Sequence, residues 1–249
     1  MISNRSILKK QLVRFLQFQS FQPGLLSLFL NPFYLIRRDL FRNIRETAPQ
    51  LKGKLIDFGC GRKPYENLFS VDEYIGLDIE QTGHDHTNSK VDVYYDGKVI
   101  PFPAATFDSL FFSEVLEHIF NVEEVLSEIH RVLKPGAKAL ITVPFCWNEH
   151  EVPYDYGRYS SFGIKYLLEQ NGFRIIEIRK SGHFARVVAQ LSSLYFFETF
   201  KKLGKTGYAL SMLFAVPIHI TGLIASTILP TNRSLYFNNI IVAEKIGNG

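Results

Sequence analysis

Hydrophobic and polar positions change rhythm twice along this chain. Up to residue 50 the apolar side chains fall three and four apart, in Leu12, Phe15 and Leu16 and again in Leu35, Ile36, Leu40, Phe41 and Ile44, which predicts helices with one buried stripe. From Leu51 short apolar runs alternate with turn residues. The runs 54–58, 74–77, 91–95, 109–112, 139–143 and 173–179 predict strands. Between the fourth and fifth, Val122, Val125, Leu126, Ile129, Val132 and Leu133 mark one helix face, with Pro135 and Gly136 as its stop. Residues 160–172 repeat the device, with Ser160 or Ser161 as cap, Ile164, Tyr166, Leu167 and Leu168 as the apolar positions and Asn171-Gly172 as terminator. Such alternation predicts an α/β sheet with crossover helices. After residue 183 the pattern dissolves into an apolar, aromatic stretch, and strand character returns only at 235–243. That gap is too long for a bare connection and predicts helices of its own. The expected division is a helical extension at 1–50, a core at 51–182 with 235–249, and an apolar insertion at 183–234.

Composition narrows the picture. A chain of 249 residues has room for one elaborated domain, and 46% hydrophobic against 21% charged residues describes a folded protein. Cys60 and Cys146 are the two cysteines, which excludes a disulfide framework and a four-thiolate zinc site and suits a reducing compartment. Arg5, Lys9, Lys10 and Arg14, followed by Pro23, Gly24 and Pro32, do not read as a signal peptide, so a cytoplasmic location is expected. Net charge is +4, but unevenly spread. Residues 1–48 hold eight Lys/Arg against Asp39 and Glu46, residues 179–205 hold six against Glu198, and the remainder is acidic. The basic flanks are either solvated helix faces or a surface for anionic lipid. No nucleic-acid-binding module is recognised, so no nucleic-acid partner is expected.

The most informative stretch is LIDFGCGRKPYENLF, residues 55–69. A strand ends at Asp57 and Phe58, a glycine turn follows at Gly59 to Gly61, and Pro64 suits the first turn of a helix. Such a turn lets a ligand approach the backbone at the C-terminal edge of a parallel sheet. A dinucleotide fingerprint would place glycine or alanine where Pro64 stands, and the Asp57 carboxylate would repel a diphosphate while pairing with an ammonium. The run YIGLDI brings Asp78 and Ile79 to the end of the second strand, where a carboxylate can accept both ribose hydroxyls. Asp96-Gly97 ends the third and can meet the edge of an adenine.

These residues resemble the class I S-adenosylmethionine-dependent methyltransferases of the ubiquinone-biosynthesis-like type. The segments IDFGCGRKP, YIGLDI, DGKVIPFPAATFDSLFFSEVLEHI and IHRVLKPGAKALITVPF carry the resemblance over residues 50–180, and 235–246 resembles the family's final strand. The resemblance implies a Rossmann-like seven-stranded sheet and S-adenosylmethionine as cofactor. It further implies that Asp57, Gly59, Cys60 and Gly61 hold the methionine part, that Asp78 and Ile79 meet the ribose and Asp96 and Gly97 the adenine, and that Ser113 lies beside the sulfonium. The chain departs from the family's commonest third glycine, having Lys63 there.

For the methyl acceptor the informative segment is PFCWNEHEVPYDYGRYSSF, residues 144–162, which concentrates Trp147, His150, Tyr154, Asp155, Tyr156, Arg158 and Tyr159 after the fifth strand. His150 is the candidate general base; the bland alternative is that it only packs the loop. Glu114, Glu117 and His118 form an E-x-x-E-H group, which in some quinone and RNA-end methyltransferases binds a divalent ion. No metal is assigned here, and His118 is read as lying near the methyl donor. Residues 206–230 contain no Asp, Glu, Lys or Arg and reach the length of a membrane span, but Pro217, His219 and Gly222 argue against a straight crossing. The expectation is a helical hairpin dipping into one leaflet, with Lys201, Lys202 and Lys205 at the headgroups; packing against residues 1–50 or a dimer contact is the alternative. Together these readings point to O-methylation of a glycan, a lipid-linked saccharide or another amphipathic small molecule at a membrane-associated site. The alternative is an inactive cofactor-binding or membrane-associated interaction protein.

Overall fold

The computed structural model describes residues 15, 18–79 and 89–247. The predicted positions Arg5, Lys9, Lys10, Leu12, Arg14 and Leu16 lie outside them. In chain order the elements are α1 (Ser27–Leu30), α2 (Tyr34–Thr47), β1 (Lys54–Phe58), β2 (Glu73–Ile79), β3 (Val93–Tyr95), β4 (Phe107–Ser113), α3 (Val122–Val132), β5 (Leu133–Pro144), α4 (Ser161–Gln170), β6 (Phe173–Lys180), α5 (Phe184–Phe200), α6 (Gly204–Ile228) and β7 (Asn238–Lys245). They fall into two compact units, Asn43–Ser181 with Phe237–Gly249, and Met1–Arg42 with Gly182–Tyr236.

The first unit is the α/β unit. Its seven strands run in the order β3-β2-β1-β4-β5-β7-β6, parallel except for β7, which lies antiparallel between β5 and β6. Strands buried on both faces read as unbroken apolar runs, and β1 and β4 are buried along nearly their whole length for that reason. Leu55, Ile56, Leu110, Phe112, Leu140 and Ile141 fill the sheet. On α3 the stripe Val125, Leu126, Ile129 and Val132 is buried, and α4 buries Ile164 and Leu168. The helix α3 stops at Val132, and Pro135 and Gly136 belong to β5, whose first residue Leu133 pairs with Phe107 across a register shift. Ser160 caps α4, its hydroxyl accepting from Gly163 N at 3.1 Å. Strand order reverses between β1 and β4, which sets a ligand crevice at their C-terminal ends.

The second unit is helical. The predicted hairpin is realised differently: residues 206–228 are one continuous helix through Pro217, and α6 folds back on α5 rather than on itself. Pro217 is tolerated because it lies on the exposed side of α6, where its missing N–H disturbs no packed seam. Residues from the start of the chain join this pair. Phe33 meets Phe197 edge to face with ring centroids 4.9 Å apart, and Arg186 Nε lies 2.9 Å from Asp39 Oδ2.

Candidate active site

At the crevice Gly59 and Gly61 turn the chain after β1 with φ of +73° and +49°. A Cβ on Gly59 would sit 2.5 Å from Val115 Cγ2, so glycine is required beneath that side chain. A Cβ on Gly61 would meet nothing within 4 Å, which leaves that side of the turn open to a ligand. From β2, Leu77 O accepts Gly59 N at 2.8 Å and Cys60 N at 3.2 Å, while Asp78 accepts Gly61 N at 2.9 Å through Oδ2 and Ile79 N at 2.8 Å through Oδ1. Asp57, Gly59, Cys60, Gly61, Asp78 and Ile79 are thus gathered at one sheet edge.

Lys63, at the position where a third glycine was expected, itself adopts φ +50°. Its buried side chain passes over Gly76, where a Cβ would lie 2.4 Å from Lys63 Cε, and pairs with Asp92, which also accepts Gly76 N at 2.7 Å. An ion pair and a glycine on the neighbouring strand stabilise a turn conformation that glycine would adopt without help.

Burial pushes Asp57 up to about 7, against the opposing pull of the Tyr74 hydroxyl, which donates to it at 2.7 Å, and of the Lys63 ammonium. Burial also raises the Cys60 thiol, so Cys60 is a protonated wall residue rather than a nucleophile.

Asp96 is exposed and one of its oxygens is used locally: Oδ1 accepts Lys98 N at 2.9 Å and Val99 N at 3.0 Å, which holds the carboxyl below the usual range. Gly97 follows with φ +78°. Ser113 ends β4 with Oγ 2.8 Å from Thr142 Oγ1. Thr142 in turn donates to Glu114 Oε1 at 2.8 Å, and Asn238 Nδ2 donates to Glu114 Oε2 at 2.7 Å. Thr142 and Asn238 are fully buried, and sequence reasoning missed both. Their one signal is a polar residue interrupting an apolar strand run.

The loop after β5 is organised by Asp155, which is buried and grips Arg158 at 2.5 and 2.6 Å while accepting His150 N at 2.9 Å. Arg158 also donates to Asn148 O at 2.9 Å. His150 Nδ1 lies 3.2 Å from Asp155 Oδ2 and 3.3 Å from Asn148 O. Burial and the neighbouring His118 lower the His150 pKa, so its ring is neutral at neutral pH. The His118 and His150 rings meet edge to face with centroids 4.8 Å apart, and His118 Nδ1 lies 2.8 Å from Tyr154 O. Ligand atoms of Glu117, His118 and His150 fall within 4.8 Å of one another. The sequence grouped Glu114 with Glu117 and His118; the structure turns Glu114 toward Thr142 and Asn238 and brings His150 into its place. Glu117 is fully buried, its carboxyl is raised well above the ordinary range by burial and by the Glu114 charge, and among the described residues its oxygens accept no side-chain hydrogen bond, with His118 Nε2 3.7 Å from Oε1.

Residues 34–178 match the family model described as "Methyltransferase domain". A protein of Mycolicibacterium smegmatis named "Probable S-adenosylmethionine-dependent methyltransferase" is 24% identical over 136 residues, covering 52% of this chain and 51% of its own length, so the chain spans about half of that relative. The O-methyltransferase rstn1 of Aspergillus nomiae is 26% identical over 166 residues, covering 55% of this chain and 72% of its own. Among solved structures, a SAM dependent methyltransferase from Archaeoglobus fulgidus aligns with a TM-score of 0.51 at 18% identity, over 87% of this chain and 99% of that one. The [4+2]-cyclase SpnF aligns with a TM-score of 0.54 at 17% identity, over 84% and 82%. These two likenesses concern the fold alone, and a cyclase among them makes the point that fold does not fix chemistry.

Proposed function

We propose that this chain, which belongs to the methyltransferase-domain family and uses S-adenosylmethionine, methylates an oxygen of an amphipathic acceptor, a glycan or lipid-linked saccharide, with His150 as the base. The observation that carries the reading is a neutral histidine set against the buried Asp155 on the loop that leaves the ligand edge of the sheet. An apolar helical unit on the same chain supports an acceptor with a hydrophobic part.

In this reading Asp57 receives the donor's ammonium, the backbone of Cys60 and Gly61 lies along its methionine part, and Gly59 allows the close approach. Asp78 and Ile79 receive the ribose, Asp96 and Gly97 the adenine, and Ser113 lies beside the sulfur. Bound there, S-adenosylmethionine supplies a methyl group on a positively charged sulfur, open to in-line displacement by an oxygen lone pair. In the tautomer whose Nδ1–H bonds Asn148 O, with Asp155 Oδ2 3.2 Å and the Arg158 guanidinium 3.3 Å from the same nitrogen, the His150 ring presents Nε2 as the acceptor of the hydroxyl proton. As the acceptor oxygen takes the methyl group and the donor leaves as its thioether, the hydroxyl proton would pass to Nε2 and the Asp155 carboxylate would stabilise the resulting imidazolium. Burial and the Glu114 charge disfavour the ionised form of Glu117 beside it. Should the ligand atoms of Glu117, His118 and His150 hold a divalent ion instead, His150 would not be available as the base.

The test offers lipid-linked saccharides in detergent and soluble glycans to the enzyme, with S-adenosylhomocysteine release and acceptor mass as readouts. His150→Gln is expected to lower kcat by ~100-fold or more while leaving S-adenosylhomocysteine affinity unchanged. Equal rates in parent and variant, or methyl found on nitrogen, would overturn the assignment.

A further inference from the structure

Helices α5 and α6 form an antiparallel pair whose polarity is the reverse of a helix pair built for water. Its inner seam is rich in small and polar residues: Gly207, Ser211, Ala215, His219 and Gly222 of α6 are buried beside Met212, and Ala189, Gln190 and Ser193 of α5 beside Val187 and Leu194. Packing along the seam is close, since a Cβ on Gly222 would lie 2.5 Å from Ala189 Cβ. The outer face of α6 runs through Leu213, Pro217, Ile220, Ile224 and Ile228, and that of α5 through Phe184, Val188, Ser192 and Tyr195, all exposed and none charged. A helix facing water carries its charges on that side. Small residues inward and large apolar residues outward are what helices need where the surroundings are as apolar as leucine.

Charge says what covers this face. Lys201 and Lys202 are exposed between the two helices, Lys205 is exposed in the first turn of α6, and Arg233 is exposed just past its end. The helical unit holds twelve Lys/Arg against two acids, a net +10, and both acids are paired: Asp39 with Arg186 and Arg38, Glu198 with Lys201. Two copies carrying that charge would repel, whereas an anionic surface would attract it. Exposed Leu25, Leu26 and Phe29 extend the apolar surface beside α6, joined to it through Tyr208, whose hydroxyl donates to Leu30 O. A groove of about 970 Å³ between α5 and α6, lined by Val188, Pro217, Thr221, Leu229 and Arg233, adds an apolar trough with a cation on its wall.

We propose that this helical unit docks on an anionic phospholipid bilayer. Helix α6 lies in the plane of one leaflet, with Leu213, Ile220, Ile224 and Ile228 among the acyl chains and the lysines at the phosphates. Lying flat is favoured over crossing for two reasons. A crossing would draw Lys201, Lys202 and Lys205 through hydrocarbon, and α5 offers only eleven uncharged residues between Arg186 and Glu198, where a span needs about 20. The inference rests on the helical unit and stands whatever the methyl acceptor is.

Flotation of the full chain tests it, with vesicles of equal parts phosphatidylglycerol and phosphatidylcholine compared with phosphatidylcholine alone. The parent is expected to float with the anionic vesicles, to lose ~5-fold in affinity for each lysine of the 201, 202 and 205 group changed to alanine, and to lose at least ~10-fold for Ile220→Glu with Ile224→Glu. S-adenosylhomocysteine binding by calorimetry, unchanged in the variants, reports that the α/β unit is folded, and far-ultraviolet circular dichroism reports that the helices persist. A parent that stays at the bottom of the gradient, or glutamate variants that float like it, would overturn the proposal. So would a parent dimer in light scattering that the glutamate variants turn into monomer, since a second copy would then cover the face.

Discussion

The two units of this chain use the same residue types in opposite senses. In the α/β unit Leu55, Leu110 and Ile141 are fully buried and the unit carries 16 Lys/Arg against 22 Asp/Glu, an acidic surface around a dry core. In the helical unit Leu213 is 68% and Ile228 75% exposed, while Ser211 and His219 are completely buried, and the charge is strongly positive. Apolar burial stabilises a fold by about 25 cal/mol per Å² only where the alternative surroundings are water. The first unit is therefore solved for water and the second for a boundary between water and something apolar. One part carries the chemistry of the cofactor and the other the affinity for a surface, and variants can address them separately.

The largest separable effect is expected at Gly59. Gly59→Val forces a branched side chain into φ +73° and against Val115, at a distance where a Cβ alone already overlaps. S-adenosylhomocysteine affinity should fall by at least ~100-fold in calorimetry, since backbone strain of a few kcal/mol acts directly on the cradle. Flotation on anionic vesicles should be unaffected. A loss of both together would mean that the units do not behave independently.

How much of this was legible in the sequence differs between the units for a physical reason. Parallel strands covered on both faces appear as unbroken apolar runs, so β1, β4 and the glycine turn lie where the pattern predicted them, whereas β5 begins at Leu133 instead of residue 139 and the antiparallel β7 runs from Asn238 to Lys245 instead of over 235–243. Lys63 did not read as a turn residue, because its left-handed backbone is stabilised by Asp92, 29 positions away, and by the missing side chain of Gly76 on another strand. The grouping of Glu117 with His118 and His150 was equally hidden: spacing places Glu114 beside them, but its φ of +55° turns it toward Thr142 and Asn238. In the helical unit the periodicity of residues 35–44 announced a buried stripe without naming its partner, which lies about 150 residues further on. A helix apolar on nearly every side gives no period from which to read an inner and an outer face.

Gln190 is that partner, and it offers the next largest effect, now confined to the helical unit. Fully buried on α5, it accepts Leu35 N at 3.0 Å and Ile36 N at 3.4 Å through Oε1 and donates to Pro32 O at 2.8 Å through Nε2. It thus caps the first turn of α2 from a distant part of the chain. Gln190→Ala leaves Leu35 N and Ile36 N without partners in a dry seam, while Pro32 O keeps the Ser193 hydroxyl at 3.1 Å, at a cost of about 2–3 kcal/mol. Thermal unfolding should show the helical unit melting roughly 10 °C lower, with S-adenosylhomocysteine affinity unchanged. An unmoved transition would mean that water replaces the amide and that the seam is not dry.

The smallest change in affinity separates the units by pH. Asp57 titrates at about 7 when folded, against an ordinary 3.8, because burial disfavours its charge. The folded α/β unit therefore binds more protons than the unfolded chain between those values. The associated stability is complete below about pH 4 and is lost as pH rises through about 7, on the order of 4 kcal/mol in all. Ligand binding has the opposite slope, since an ammonium needs the ionised carboxylate. S-adenosylhomocysteine affinity should rise ~10-fold between about pH 6 and pH 7.5, with a proton released on binding at the lower end, detectable by calorimetry in buffers of different ionisation enthalpy. Asp57→Asn should bind more weakly and with no slope across that interval. Vesicle binding depends on lysine and arginine, which keep their charge throughout the interval, so it should stay level. A flat affinity profile in the parent would mean that Asp57 is not the group that meets the ligand's ammonium, and would move that role to Asp78 on the neighbouring strand.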